Sequence, residues 1–263
     1  MRTPVAVLKM SLFVLLCFII VPLQSLVLLV HRGCGAYILP WLWQCAVCRI
    51  FGITVLVEGK PHTKSQTIYV ANHLSYLDIP AIGSILRVSF VAKQEVAGWA
   101  VFGFLSKLQQ TAFISRSKAD AAREKNALGA MLAEGKSLII FPEGTSTDGR
   151  EVLAFKSSLF ALVLQDGVKN LTIQPITVNM QTVDRRPVLT QADRDIYSWH
   201  RDMDTELPVH LWGFAKSRGA HISLKFHPPR MAGDYSDRKT LAKICHEDVC
   251  KGLTQQIENK QAA

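Results

Sequence analysis

His73 and Asp78 stand five residues apart in Asn72-His73-Leu74-Ser75-Tyr76-Leu77-Asp78, an imidazole and a carboxylate placed where a hydrophobic stretch ends. Such a pair is a general base with its orienting partner: the carboxylate accepts from one ring nitrogen, and the other nitrogen takes a proton from an attacking hydroxyl. On one continuous helix, residues five apart diverge by about 140°, so the pair needs a break in the backbone. Thr67 to Ala71 is β-branched and aromatic like a buried strand, and Ser75 has the character of a helix start. His73 then falls in the turn and Asp78 in the first helical turn, where the helix dipole favours an ionised carboxylate. A capping turn with a hydrogen-bonded histidine fits the same seven residues, so a second signal has to decide.

Phe141-Pro142-Glu143-Gly144-Thr145-Ser146 supplies it, following the apolar run Ser137 to Phe141 as the first motif follows Thr67 to Ala71. In open α/β sheets ligands bind beyond the carboxyl ends of strands, so two polar turns there face one cleft. Gly144 permits close backbone approach, while Glu143 and Thr145 offer an acceptor and a hydroxyl.

With these residues in view, the chain resembles the glycerolipid acyltransferases of the PlsC type. Their markers N-H-x4-D, F-x-x-R and F-P-E-G-T occur here in order, the middle one as Phe113-Ile114-Ser115-Arg116. A looser proline element fits Ile173-Gln174-Pro175-Ile176-Thr177-Val178, and the resemblance covers about Thr54 to Val178. It implies transfer of a fatty acyl group from a thioester, on acyl carrier protein or coenzyme A, to the hydroxyl of a lysolipid. His73 and Asp78 are then catalytic, no metal or further cofactor is called for, and no covalent acyl-enzyme is required. Arg116 and the Glu143-Gly144-Thr145 turn would bind the acceptor head group, a guanidinium being suited to a phosphate by its planar fork. Lys93 resembles a family lysine at the cleft mouth.

One position departs from the pattern. Many family members carry an arginine directly after Gly-Thr, where this chain has Ser146. Arg150 or Lys156 could replace it from nearby, or the acceptor carries no phosphate. Phe141 to Phe160, Tyr197-Ser198-Trp199 and Pro208 to Trp212 also resemble the branch that acylates lyso-ornithine lipid. The leading acceptor on sequence is 1-acyl-glycerol-3-phosphate, with a lyso-ornithine lipid as the alternative. A hydrolase would use His73 to activate water, but no serine nucleophile or metal cluster accompanies it. A non-catalytic lipid-binding protein would need no base with its orienter.

The elements that must position these residues divide the chain in two. Residues 1–52 read as a membrane anchor: Met10 to Val30 carries no charge and can cross about 30 Å of hydrocarbon, and residues 36–48, with Trp41 and Trp43, read as an interfacial or re-entrant helix. Residues 53–263 read as one α/β domain, a layered sheet with covering helices. Candidate strands are Thr54 to Val57, Thr67 to Ala71, Val88 to Ala92, Thr111 to Ser115, Ser137 to Phe141, Ile173 to Asn179 and His221 to Phe226. Helical patterns fall at Ile79 to Leu86, Trp99 to Lys107, Lys118 to Ala133, Ser157 to Gln165 and Ser236 to Glu258. The formal charge of +9 favours an anionic membrane surface, acidic carrier protein or coenzyme A phosphates. Nucleic acid is set aside, since the basic residues are dispersed and no recognition motif occurs. The expected place is the cytoplasmic (inner) membrane with the catalytic domain facing the cytoplasm, although Arg2 and Lys9 before the long segment balance Arg32 and Arg49 after it. The six cysteines do not form a disulfide or zinc framework, and Gly129 to Ser137 lacks the spacing of a phosphate loop.

Overall fold

The computed structural model describes residues 2–115, 128–162, 164 and 171–261. Two helices open the chain, α1 (Thr3–Val30) and α2 (Ile38–Phe51), joined through a 3-10 turn at Cys34–Tyr37. The order then runs β1 (Ile53–Glu58), β2 (Thr67–Ala71), α3 (Asp78–Gly83), β3 (Ser89–Lys93), α4 (Ala100–Leu108), β4 (Ala112–Ile114), α5 (residues 128–133) and β5 (Leu138–Ile140). It continues with β6 (Thr172–Val183), β7 (Arg186–Pro187), α6 (Gln191–Arg194), α7 (Leu207–Lys216), β8 (Ala220–Phe226), β9 (Arg230–Met231) and α8 (Arg238–Gln261).

The seven expected strands all form, most of them shifted by a residue at an end. They make one sheet in the order β1-β8-β6-β2-β5-β3-β4, with β7 and β9 pairing on β6. The run from β6 through β4 is parallel, and only the β6–β8 junction on the main path is antiparallel. Parallel pairing puts the carboxyl ends of β2, β5, β3 and β4 on one edge, so Asn72, Phe141, Lys93 and Ser115 all emerge there.

Both faces of the sheet are covered, which is why its central strands read as unbroken apolar runs rather than alternating ones. Ile68, Val70, Leu138 and Ile140 face a core shared with α8 and α5, through Leu241, Cys245, Leu128 and Leu132. Tyr69, Ala71 and Ile139 face the other core. That second core takes in Ala6 and Phe13 of α1 and Val47, Cys48 and Phe51 of α2.

The N-terminal helices therefore share packing with the sheet. Lys9 donates to the carbonyls of Phe51 and Ser217 at 3.2 and 2.9 Å, and Phe13 meets the rings of Trp43 and Phe51. Gln24, fifteen positions further along, donates to Ala36 O and Leu108 O at 2.9 and 3.1 Å. α2 is tied to the helix that carries Asp78: Trp41 Nε1 donates to Ser84 O and Cys48 Sγ to Pro80 O. The opposite side of α1 exposes Leu8, Leu15, Phe18, Leu26 and Leu29. This 28-residue helix is long and apolar enough to cross a membrane.

Of the expected helices, Ile79 to Leu86 is shorter, ending at Gly83, and Ser157 to Leu162 is a 3-10 helix. Most of Lys118 to Ala133 lies outside the described residues, as do the last residues expected of the segment ending at Gln165. α7 was not among the helices expected; Pro208 near its start and Gly213 within it weaken the local pattern.

Candidate active site

His73 sits in the turn after β2, and Asp78 is the first residue of α3. The turn closes through Asp78 N donating to Ser75 O at 3.0 Å, which brings the carboxylate back under the imidazole. Asp78 Oδ2 accepts from His73 Nδ1 at 2.8 Å and from the backbone N–H groups of Leu74 and Ser75 at 2.7 and 3.0 Å. A carboxylate with three donors on one oxygen acts as acceptor, so Nδ1 carries the hydrogen and Nε2 keeps its lone pair. The ring stacks on Phe141, centroids 4.1 Å apart, which fixes its plane. Asp78 is fully buried while the His73 side chain is 21% exposed, the arrangement of a protected orienter and an accessible base.

The surrounding loops are cross-braced. Asn72 binds Val178 of β6 through both its amide nitrogen and its oxygen, at 2.9 and 2.7 Å. Thr147 N donates to His73 O at 2.9 Å, joining the turn after β2 to the turn after β5. Glu143 completes the joint: one carboxylate oxygen accepts from His73 N at 2.7 Å and the other from Leu153 N at 2.9 Å. Burial pushes its carboxyl up to about 7, against the two N–H donors that favour ionisation.

A cavity of about 700 Å³ opens beside His73, a size typical of ligand sites. It runs along β3, lined by Phe90, Val91, Ala92 and Lys93, and Gln109 forms part of its wall. Four residues of strand span roughly 10 Å. The walls are mainly apolar, and Phe13, Ile20 and Val21 of α1 form part of them. Tyr76, Trp99 and Trp199 gather near His73, with ring centroids 5.9 to 6.1 Å apart around Trp199. Ser146, His200 and Arg201 supply polar groups.

The residues singled out by sequence are placed differently from one another. His73, Lys93, Gly144 and Thr145 line the cavity together. Glu143, expected at the acceptor, is 3% exposed and turned to the backbone of His73 and Leu153 instead. Arg150 does not line the cavity; it is mostly exposed and paired with Asp148 at 3.4 Å. Lys156 covers Gly144, its ammonium occupying the space a side chain there would need. Arg116 lies outside the described residues. Two groups were not assigned roles by sequence. Tyr197 donates its hydroxyl to Asp78 Oδ1 at 3.0 Å, and Ser146 Oγ donates to Trp199 O at 2.6 Å. The only sequence signal for Tyr197 is the Tyr197-Ser198-Trp199 run, which carries no spacing relation to His73, while Ser146 stands out only as the residue that replaces the family arginine.

A parallel-sheet edge holding a buried carboxylate, an oriented imidazole and a deep apolar cavity is the arrangement of an enzyme that works on long apolar substrates. A family model described as acyltransferase matches residues 54–179, and the chain belongs to that family. The chain is 36% identical over 214 residues to a lyso-ornithine lipid O-acyltransferase of Rhodobacter capsulatus, covering 80% of this chain and 74% of that one. It is 29% identical over 190 residues to a 1-acyl-sn-glycerol-3-phosphate acyltransferase of Neisseria gonorrhoeae, covering 72% and 70%. The crystal structure of the acyltransferase PlsC from Thermotoga maritima matches with a TM-score of 0.67 over 97% of this chain and 98% of that one, at 22% identity. The fold is thus that of a PlsC-like acyltransferase.

Proposed function

We propose that the chain transfers a fatty acyl group from a thioester, borne by acyl carrier protein or coenzyme A, to the free hydroxyl of a lysolipid. His73 Nε2 takes the hydroxyl proton as the oxygen attacks the thioester carbonyl. The C–S bond then breaks, and the proton passes to the leaving thiolate. Asp78 holds the ring and stabilises the imidazolium between those two events. The observation that carries this reading is the His73–Asp78 pair opening on an apolar cavity of about 700 Å³, large enough for an acyl chain.

For the acceptor, an amino-acid lysolipid of the ornithine type now stands ahead of 1-acyl-glycerol-3-phosphate. Ser146 stands where a phosphate-binding guanidinium is expected, its hydroxyl is committed to Trp199 O, and Arg150 is turned to Asp148. Relatives named for lyso-ornithine lipid, at 36% and 31% identity, support the same order. Lys93 and Thr145 are the described cavity groups best suited to a head group. Arg116 keeps the role that the family resemblance gives it.

The domain sits at the membrane through α1 and α2. Lys9 and Gln24 lie about 22 Å apart along α1 yet both bond to the same folded unit, so α1 lies along the domain with its exposed apolar face in lipid. The formal charge of +9 favours an anionic lipid surface, and the cleft faces the cytoplasm, where thioester donors are held.

Purified protein in detergent, given a labelled acyl thioester and either lyso-ornithine lipid or lysophosphatidate, tests the reading. Turnover with the former, lost in His73→Ala, is the expected result. Product from neither acceptor refutes it.

A further inference from the structure

Among the described residues Asp78 has four hydrogen-bond partners, and they divide unevenly between its oxygens. Oδ2 takes His73 Nδ1 and two backbone N–H groups, whereas Oδ1 is met, among the described residues, by the Tyr197 hydroxyl alone. We propose that Tyr197 is a positioning residue for the His73–Asp78 pair, acting through its hydroxyl on the unshared oxygen of the carboxylate. The proposal rests on the assignment of His73 as base.

Tyr197 is fully buried, with its ring edge-on to Phe214 at 6.0 Å. A phenylalanine would fill that space equally, so the hydroxyl needs a reason to be there. A buried hydroxyl costs stability unless it is bonded, and the group it bonds here is a buried carboxylate. Burial and the Asp78 charge both push the phenol well above its ordinary range, so it stays a donor throughout the working pH range.

The backbone around Tyr197 is held as firmly as its side chain. Thr190 and Asp193 form a capping box that starts α6, and Tyr197 N and Ser198 N both donate to Arg194 O. Trp199 N then donates to Leu74 O, inside the turn that carries His73. The segment after α6, packed in the same core as Leu74 and Leu77, is thereby clamped to the catalytic turn, with Tyr197 aimed at its carboxylate.

The hydroxyl withdraws charge from the carboxylate and prevents it from rotating away from the imidazole. Without it, more negative charge falls on Oδ2 and the pair binds its proton more tightly. Other titratable groups near this site are Glu143, whose charge couples to Asp78, and Cys48 and Tyr76, which lie close to Tyr197. None of these donates to Oδ1.

The test compares the full chain in detergent with Tyr197→Phe and Phe214→Leu, following kcat, the acceptor KM and the pH profile of kcat/KM. Tyr197→Phe is expected to lower kcat by roughly tenfold to a hundredfold with acceptor KM little changed, the range set by a hydrogen bond to a charged group. Its acid limb moves to higher pH. Phe214→Leu loosens the ring packing but keeps the hydroxyl, so its acid limb stays in place. A wild-type kcat and profile in Tyr197→Phe, or an equal shift in Phe214→Leu, overturns the proposal. Should Tyr197→Phe fail to fold, 3,5-difluorotyrosine at 197 strengthens the donor and moves the limb to lower pH; an unmoved limb overturns the proposal. Full activity in His73→Ala would instead remove the base assignment itself.

Discussion

Glu143 accepts the backbone N–H of His73 at 2.7 Å across 70 positions of sequence, so the F-P-E-G-T turn holds His73 in place through its main chain. The same carboxylate holds Leu153 N, and its burial raises its protonation point from 4.5 to about 7. Between those values the folded chain keeps a proton that the unfolded chain has released. Its stabilising contribution is therefore complete below about 4.5 and falls as pH rises through about 7, by on the order of 3 kcal/mol. Glu143→Gln removes this titration and turns an amide NH2 toward one of the two N–H groups. The melting temperature of wild type minus that of Glu143→Gln should decrease from pH 5 to pH 8; a constant difference would contradict the raised carboxyl. kcat should fall by roughly tenfold as the His73 turn loosens.

Gly144 has φ of +69° and lies under the Lys156 ammonium. An alanine there meets two penalties: left-handed backbone, about 1–2 kcal/mol, and displacement of Lys156. Gly144→Ala should melt several degrees lower and turn over more slowly. Lys156→Ala would relieve the second penalty, so the double variant should recover part of the lost stability. Additive losses in thermal melts would show that Lys156 does not matter to this turn.

The strands were legible because parallel strands buried on both faces are rich in β-branched and apolar residues, as Thr67–Ala71 and Leu138–Ile140 are. His73 and Asp78 were legible because the six residues from one to the other bring them together within a single turn. Tyr197 was not, since 119 positions separate it from Asp78 and no local period links them. The hydrogen bonds of Glu143 to His73 N and Leu153 N were not legible, because a motif names a residue without saying which way its side chain turns. The packing of α1 was hidden for another reason. A helix apolar on every side gives no stripe to read, and only Lys9 and Gln24 marked the face that meets the domain.

Val21 places a short side chain of α1 in the wall of the cavity. If acyl chains lie there, Val21→Trp narrows the depth available and penalises long chains more than short ones. Competing acyl thioesters of graded length should show the long-to-short ratio of kcat/KM falling by at least about tenfold, the discrimination expected when a few methylenes are displaced. An unchanged ratio would place the acyl chain elsewhere.

The proposed acceptor order can be tested at Ser146. Its hydroxyl donates to Trp199 O at 2.6 Å, and its side chain lines the cavity near His73. A guanidinium in its place would lose that bond but add a cation with a planar fork suited to phosphate oxygens. Ser146→Arg should therefore raise kcat/KM for lysophosphatidate relative to lyso-ornithine lipid, by roughly tenfold if one charge-assisted hydrogen bond forms. Ser146→Ala separates the two effects, since it removes the bond to Trp199 without adding charge. It should slow both acceptors alike and leave their ratio where wild type sets it. A ratio that moves equally in Ser146→Ala and Ser146→Arg would trace selectivity to the Trp199 segment rather than to a missing cation. The competition assay with both lysolipids in one vessel reads that ratio directly, independent of how much active enzyme each variant yields.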